Sequence, residues 1–115
     1  MNCAEGTLVS GTELASTIRN EVRERVSRIK KSAGRSPRLD VLLIGDDPAS
    51  KWYANAKCKL GRRLGIDVHV IELQVGIPAK EAARAVSRAS NDSKVDGVLI
   101  ELSLIHISEP TRRYA

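Results

Sequence analysis

The sequence has no phenylalanine and few other aromatic residues, and this scarcity bears on nucleic-acid binding. Among its 115 residues the aromatic side chains are Trp52, Tyr53 and Tyr114. The formal net charge is +5, but proteins that bind single-stranded nucleic acids combine basic groups with several stacking rings. The lysines and arginines of residues 19–31 alternate with glutamates at helical spacing. We therefore interpret them as solvated helix faces and expect no nucleic-acid partner.

Cysteines and long apolar runs are also scarce. Cys3 and Cys58 are too few for a disulfide framework or a metal cluster, and no Cys-x-x-Cys occurs, which fits a reducing compartment. No apolar run approaches the ~18 residues of a membrane span. The first residues lack the basic stretch and apolar run of a signal peptide. We expect no membrane association and a cytoplasmic location, with an organelle left open.

The chain also lacks the glycine-rich motifs that bind phosphates. No Gly-x-Gly-x-x-Gly follows a predicted strand, and no Gly-x-x-x-x-Gly-Lys occurs. Neither a dinucleotide fingerprint nor a P-loop is therefore present. Whatever binds to this chain is expected to be held by side chains.

Apolar periodicity predicts six elements in the order helix, strand, helix, strand, helix, strand. The first helix begins near an N-cap at Thr12 and carries one apolar stripe: Leu14, Ile18, Val22, Val26 and Ile29. The predicted strands are 39–44, 67–73 and 97–102, and the helices between them are 48–64 and 78–89. Strands that start about every 28 residues with a helix between them are typical of βαβ crossovers. The predicted fold class is α/β, with three-layer parallel-sheet βαβ units preceded by an amphipathic helix.

The last residues differ from the rest of the chain. Residues 103–115 read SLIHISEPTRRYA and have neither a helical nor a strand period. We expect residues 1–102 to be a partial domain and residues 103–115 to be a non-native tail.

The second predicted helix carries a polar constellation. Ser50, Tyr53 and Lys57 are three and four residues apart, so they share one helix face. The helical wheel predicts that an adjoining arc is buried, with Lys57 at its border: Ala49, Trp52, Ala56, Leu60 and Leu64. From spacing alone, a packed tyrosine beside a surface lysine explains the pair better than a catalytic site does.

The longer string around this helix resembles a known family. IGDDPASKWYANAKCKLGRRLGI is similar to the signature of the methylenetetrahydrofolate dehydrogenase/cyclohydrolase family, and its specific part is Pro-Ala-Ser-x-x-Tyr-x-x-x-Lys. The resemblance extends back through SGTELASTIRNEV and RSPRLDVLLIG and forward to KVDGVLIEL. It covers about residues 6 to 102.

The resemblance implies roles for particular residues. Lys57 would be the catalytic lysine, Tyr53 would lie against the folate rings, and Ser50 would help to hold the helix. The reactions implied are NAD(P)-dependent oxidation of methylenetetrahydrofolate and hydrolysis of the methenyl product to formyltetrahydrofolate. They would belong to one-carbon metabolism and purine biosynthesis. The intact enzyme would use NADP or NAD and form a homodimer.

The third strand departs from the family pattern. Where the family has a glutamine followed by Leu-Pro-Leu-Pro, this chain has Glu101, Leu102, Ser103 and Leu104. Glu101 would lie in the substrate site, and a carboxylate beside Lys57 would favour its ammonium form. The family's NAD(P)-binding domain is not expected within these residues, so the chain alone is predicted to be inactive.

A second interpretation stays open at this point. LLIGDDP and DGVLIELSL also resemble the strand ends of a phosphorelay receiver domain. Asp46, Asp47 and Glu101 would then form an acidic cluster that binds magnesium.

Overall fold

The computed structural model of the protein describes residues 6–102 as three helices and three strands. In chain order these are α1 (Gly11–Ala33), β1 (Arg38–Ile44), α2 (Pro48–Arg63), β2 (Asp67–Leu73), α3 (Ala79–Asn91) and β3 (Gly97–Leu102). The predicted element order is confirmed, and most predicted ends agree within two residues. The N-cap at Thr12 is wrong. Ser10 caps α1 instead, because its side chain accepts a hydrogen bond from the Glu13 backbone N–H at 3.3 Å.

The three strands form one parallel sheet in the order β2, β1, β3. The central strand β1 holds the most buried side chains, Val41, Leu42 and Leu43. Val41 packs with Cys58 of α2, whereas its neighbour Leu42 packs with Ala85 and Ala89 of α3. Successive strand residues face opposite sides of a sheet, so α2 and α3 cover opposite faces. The predicted three-layer α/β fold is confirmed.

Most of the apolar stripe of α1 is exposed within residues 6–102. Val26 is buried and lies close to Gly65, where an added Cβ would be 3.0 Å from a Val26 methyl carbon. Leu14, Ile18 and Ile29 are exposed. The predicted helix is confirmed, and within residues 6–102 Val26 is the one fully buried residue of its apolar stripe. No helix in the described part of the chain is both long enough and apolar enough to span a membrane.

An ion pair connects two loops at the edge of the sheet where the strands begin. Arg35 donates two hydrogen bonds to Asp96, at 2.7 and 2.9 Å, and the Arg38 backbone N–H donates a third at 2.8 Å. In return, the Asp96 backbone N–H donates to the Arg38 carbonyl at 2.9 Å. These bonds join the segment before β1 to the segment before β3. The Arg35 hydrogen bonds, helped by the Arg38 N–H, lower the pKa of Asp96 to about 2.

We expect Asp96→Asn to lower the stability of the protein in a pH-dependent way. The carboxyl pKa is lower in the folded state than its ordinary value of 3.8, so ionised Asp96 stabilises the fold above that value. This contribution is lost as the pH falls through about 2. The difference in unfolding midpoint between the wild type and the variant should be constant from about pH 7 to 5 and shrink between about pH 4 and 2. A difference that does not change with pH would contradict this assignment.

Candidate active site

The start of α2 is built from the turn that follows β1. Gly45 has a φ of +112°, a backbone conformation that glycine adopts readily. Asp47 then caps the helix by accepting a hydrogen bond from the Ala49 backbone N–H at 3.3 Å, and Pro48 occupies the first turn. The Ser50 hydroxyl donates to Asp47 at 3.4 Å. The turn therefore fixes the beginning of α2 at the edge of the sheet where β1 ends.

The buried face of α2 is not the one that the helical wheel predicts. Trp52 is 66% exposed and Ala49, Ala56 and Leu60 are also exposed, so only Leu64 of that arc is buried. The face against the sheet consists of small residues: Ala54, Cys58 and Gly61. At Gly61 an added Cβ would lie 2.6 Å from a Val68 methyl carbon. Small side chains let α2 approach the sheet closely, and this close approach, more than hydrophobicity, decides which face is buried.

This orientation leaves the aromatic residues on the outside of α2. The rings of Trp52 and Tyr53 meet edge to face, with centroids 5.3 Å apart and an interplanar angle of 81°. Such an arrangement is favourable for aromatic pairs. Tyr53 is 58% exposed. Its ring is thus available to a planar ligand.

Lys57 follows Tyr53 by one turn and reaches across to the third strand. Its Nζ donates a hydrogen bond to Oε1 of Glu101. The lysine side chain is 48% exposed and the glutamate side chain 19% exposed. Lys57 and Glu101 are therefore in direct contact, although these predicted site residues are 44 positions apart in the sequence. Ser50, Tyr53 and Lys57 belong to one helix, and Glu101 supplies the opposite wall.

Glu72 also belongs to this region, and sequence patterns did not single it out. Leu43 pairs with Glu101 on one side and with Glu72 on the other. Residues paired across a sheet share a face, so Glu72 and Glu101 lie on the α2 side in one row. The alternation of apolar and polar residues in DVHVIEL predicts which face of the sheet Glu72 lies on. Only the strand order shows that Glu72 lies in the same row as Glu101.

The first βα turn does not fit a nicotinamide cofactor. In dinucleotide-binding folds this turn leaves backbone N–H groups free for a pyrophosphate. Here Asp47 occupies the Ala49 N–H, and Asp46 and Asp47 would repel phosphate. Residues 6–102 also contain no group of three His, Cys, Asp or Glu side chains arranged to hold a metal ion. Asp47 caps α2 and Glu101 binds Lys57, so the structure gives no support to a receiver-like acidic cluster.

The fold and the site together define a parallel α/β protein that presents a tyrosine and a lysine from one helix beside the end of a strand. Comparison with known proteins identifies the family. Residues 9–111 match the tetrahydrofolate dehydrogenase/cyclohydrolase catalytic domain. The chain therefore belongs to the tetrahydrofolate dehydrogenase/cyclohydrolase family, and the resemblance of its sequence motif is confirmed.

Individual relatives agree with this assignment. The bifunctional protein FolD of Halothermothrix orenii is 40% identical over 105 residues, which are 90% of this chain and 37% of that protein. The mitochondrial bifunctional methylenetetrahydrofolate dehydrogenase/cyclohydrolase of Gallus gallus is 36% identical over 92% of this chain and 32% of its own length. The crystal structure of the bifunctional enzyme FolD from Campylobacter jejuni superposes with a TM-score of 0.79. The two sequences are 33% identical, and the match covers 91% of this chain and 37% of that structure.

The extent of these matches has two consequences. The chain spans about a third of the length of the curated relatives that it matches. The family match also continues to residue 111, past Leu102. Residues 103–115 lie outside the described part of the structure, so the boundary after Leu102 and the non-native tail stay predictions.

Proposed function

We propose that this chain is the folate-binding part of an enzyme that oxidises methylenetetrahydrofolate with NADP or NAD and hydrolyses the methenyl product to formyltetrahydrofolate. The observation that supports this most is the contact between Lys57 and Glu101 beside the exposed ring of Tyr53. A planar ligand that stacks on the tyrosine would bring its reactive carbon next to the amine. Hydrolysis of a methenyl bridge requires proton transfers next to that carbon, from the attacking water and to the departing nitrogen, and a lysine held beside it can take part in them.

Each site residue then has a separate role. Lys57 is proposed as the catalytic lysine and Tyr53 as the ring that contacts the folate. Ser50 holds the start of α2 through its hydrogen bond to Asp47. Glu101 contacts the substrate and Lys57 from the end of β3.

Further properties of the enzyme are proposed with the same function. Residues 1–102 form part of the folate-binding domain, residues 103–115 are not native to it, and the nicotinamide cofactor binds to a separate domain. The 115 residues alone are then inactive. Oxidation fails because hydride transfer needs the cofactor held against the folate, and hydrolysis fails because a three-stranded sheet gives only a small core to hold the site. We also propose a homodimer, a cytoplasmic location and a supply of formyl groups for purine biosynthesis.

The proposed function is tested with the full-length enzyme that carries this segment. Reduction of NADP or NAD in the presence of methylenetetrahydrofolate measures the oxidation, and the disappearance of methenyltetrahydrofolate measures the hydrolysis. We expect both activities in the full-length enzyme and neither in the 115-residue chain. The absence of both from a folded full-length enzyme would contradict the proposal.

We expect the ring of Tyr53, more than its hydroxyl, to bind folate. Tyr53→Phe should weaken folate binding modestly. Tyr53→Ala should cost about 1 to 3 kcal/mol of stacking and packing. Titration of both variants with a folate ligand measures this difference. Equal losses in the two variants would show that the hydroxyl contributes most of the binding.

A further inference from the structure

A basic cleft lies at the edge of the sheet where the strands begin. Its volume is about 610 Å³, within the range of small-molecule pockets. It is formed by the ends of α1 and α2, the loops before β1 and β3, and the turn before β2. The charged side chains that line it are five cations and one carboxylate: Lys30, Arg35, Arg38, Arg62, Lys94 and Asp67. An excess of one sign of charge in a concave surface favours a ligand of the opposite sign.

Two of these cations are paired with carboxylates. Arg35 donates two hydrogen bonds to Asp96, and Arg38 donates to Asp40 at 2.8 Å. Much of their positive charge is therefore offset within the protein. The bonds also fix both guanidinium groups in place, and a guanidinium has five N–H groups, so donors remain for a ligand.

The other three cations are not paired in this way. Within residues 6–102, no carboxylate oxygen lies within 4 Å of the side-chain nitrogens of Lys30, Arg62 or Lys94. Asp67 is the carboxylate that lines the cleft with them. Three positive charges therefore face one negative charge across this cleft.

Arg62 is held in position without losing its charge. Its guanidinium donates a hydrogen bond to the backbone carbonyl of Val68 at 3.2 Å. A carbonyl is neutral, so this bond orients the side chain and leaves its positive charge for a ligand. A group that is already ordered loses less conformational entropy when a ligand binds.

Stabilisation of helix ends explains only part of this arrangement. Lys30 and Arg62 lie in the last turns of α1 and α2, where cations interact favourably with the unpaired carbonyls. Each helix end carries roughly half a negative charge, which reduces the positive charge of the cleft but does not cancel it. Lys94 lies in the loop before β3, outside any helix. Helix ends therefore do not explain why Lys94 faces the same cleft.

We propose that the basic cleft binds a small molecule that carries a diphosphate or triphosphate group. Adjacent phosphates present several negative charges within a short distance, and arginine and lysine side chains bind their oxygens well. The cleft is separated from the site of Lys57 and Tyr53 by the length of β1, which is about 20 Å for a strand of seven residues. A ligand in the cleft would therefore leave the folate site open. This inference does not depend on the proposed function.

Calorimetric titration of the full-length enzyme with tripolyphosphate tests the inference. The ionic strength is kept at about 0.15 M, because salt screens attraction that comes only from distant charges. The double variant Lys30→Gln/Lys94→Gln removes two exposed cations that form no ion pair within residues 6–102. Its affinity for tripolyphosphate should fall by about 10-fold or more. Its unfolding midpoint without ligand should match that of the wild type.

A matched control separates the cleft from the net charge of the protein. Lys59→Gln/Lys80→Gln removes the same charge from two exposed positions outside the cleft. This variant should bind tripolyphosphate like the wild type. At Arg62, glutamine should weaken binding more than lysine does, because lysine keeps the charge and loses only the planar fork.

Replacement of Asp67 tests the same site in the opposite direction. Asp67→Asn removes the carboxylate that lines the cleft and keeps the size of the side chain. Its affinity for tripolyphosphate should rise by about 2-fold to 5-fold. A variant that is damaged in its fold would not gain affinity, so this result cannot come from misfolding.

The contrary outcomes are equally definite. Equal losses in the two double variants would show that tripolyphosphate responds only to net charge. Unchanged affinity in Lys30→Gln/Lys94→Gln would place the binding elsewhere, for example in the domain that holds the nicotinamide cofactor. Either result, or a wild-type enzyme that binds no tripolyphosphate, would overturn the inference. An enzyme that binds tripolyphosphate in the cleft but carries out neither folate reaction would overturn only the proposed function.

Discussion

Replacement of Lys57 by methionine is expected to reduce hydrolysis of methenyltetrahydrofolate by about 100-fold to 10,000-fold. Methionine retains much of the side-chain length but removes the proton that the departing nitrogen needs. Folate binding should survive, because the Tyr53 ring is retained. Oxidation should fall much less than hydrolysis, because hydride transfer to a cofactor needs no proton from the amine. Separate assays of the two reactions in the full-length enzyme measure the difference.

Two further variants serve as controls for this prediction. Lys59→Met removes an exposed lysine from the same helix, two residues beyond Lys57, and should leave hydrolysis unchanged. Lys57→Arg keeps the positive charge, but a guanidinium holds its proton too tightly to transfer it. We therefore expect Lys57→Arg to lose hydrolysis as well. Near-normal hydrolysis by Lys57→Met would remove the lysine from the mechanism.

Replacement of Gly61 by leucine is expected to cost about 3 kcal/mol in the free energy of unfolding, at the upper end of the usual cost of overpacking a core. A Cβ at this position would already lie 2.6 Å from a Val68 methyl carbon, so even the first added carbon forces a movement. Val68 is buried and β-branched, so its side chain has little freedom to turn away. Urea unfolding followed by circular dichroism measures the change.

The chain offers a matched glycine for this test. Gly11 also lies in a helix, but an added Cβ there would meet nothing within 4 Å. We therefore expect Gly11→Leu to change stability by no more than about 0.5 kcal/mol. Adding Val68→Ala to Gly61→Leu should recover part of the loss, because it removes the methyl groups in the way. Equal effects of leucine at the two glycines would contradict close packing between α2 and the sheet.

Some features of this protein follow from its sequence by itself. The breaks at Gly34 and Pro48 separate segments whose apolar periods differ, so the order of helices and strands could be predicted. The run Val41–Leu42–Leu43 is apolar on both faces, which predicts a central strand covered by helices. The three-and-four spacing of Ser50, Tyr53 and Lys57 places them on one helix face. These are local properties, and local geometry is sufficient to determine them.

Only the tertiary structure decided which face of α2 is buried, and Glu101 was expected beside Lys57 from the family resemblance and not from any local pattern. Hydrophobicity favours Trp52 and Leu60 as core residues, but the helix approaches the sheet most closely through its small residues. The large apolar side chains are therefore turned outward. The partner of Lys57 depends on β3 lying beside β1 and not beside β2. Strand order results from how the crossovers pack over the whole sheet, so periodicity within one segment contains no information about it.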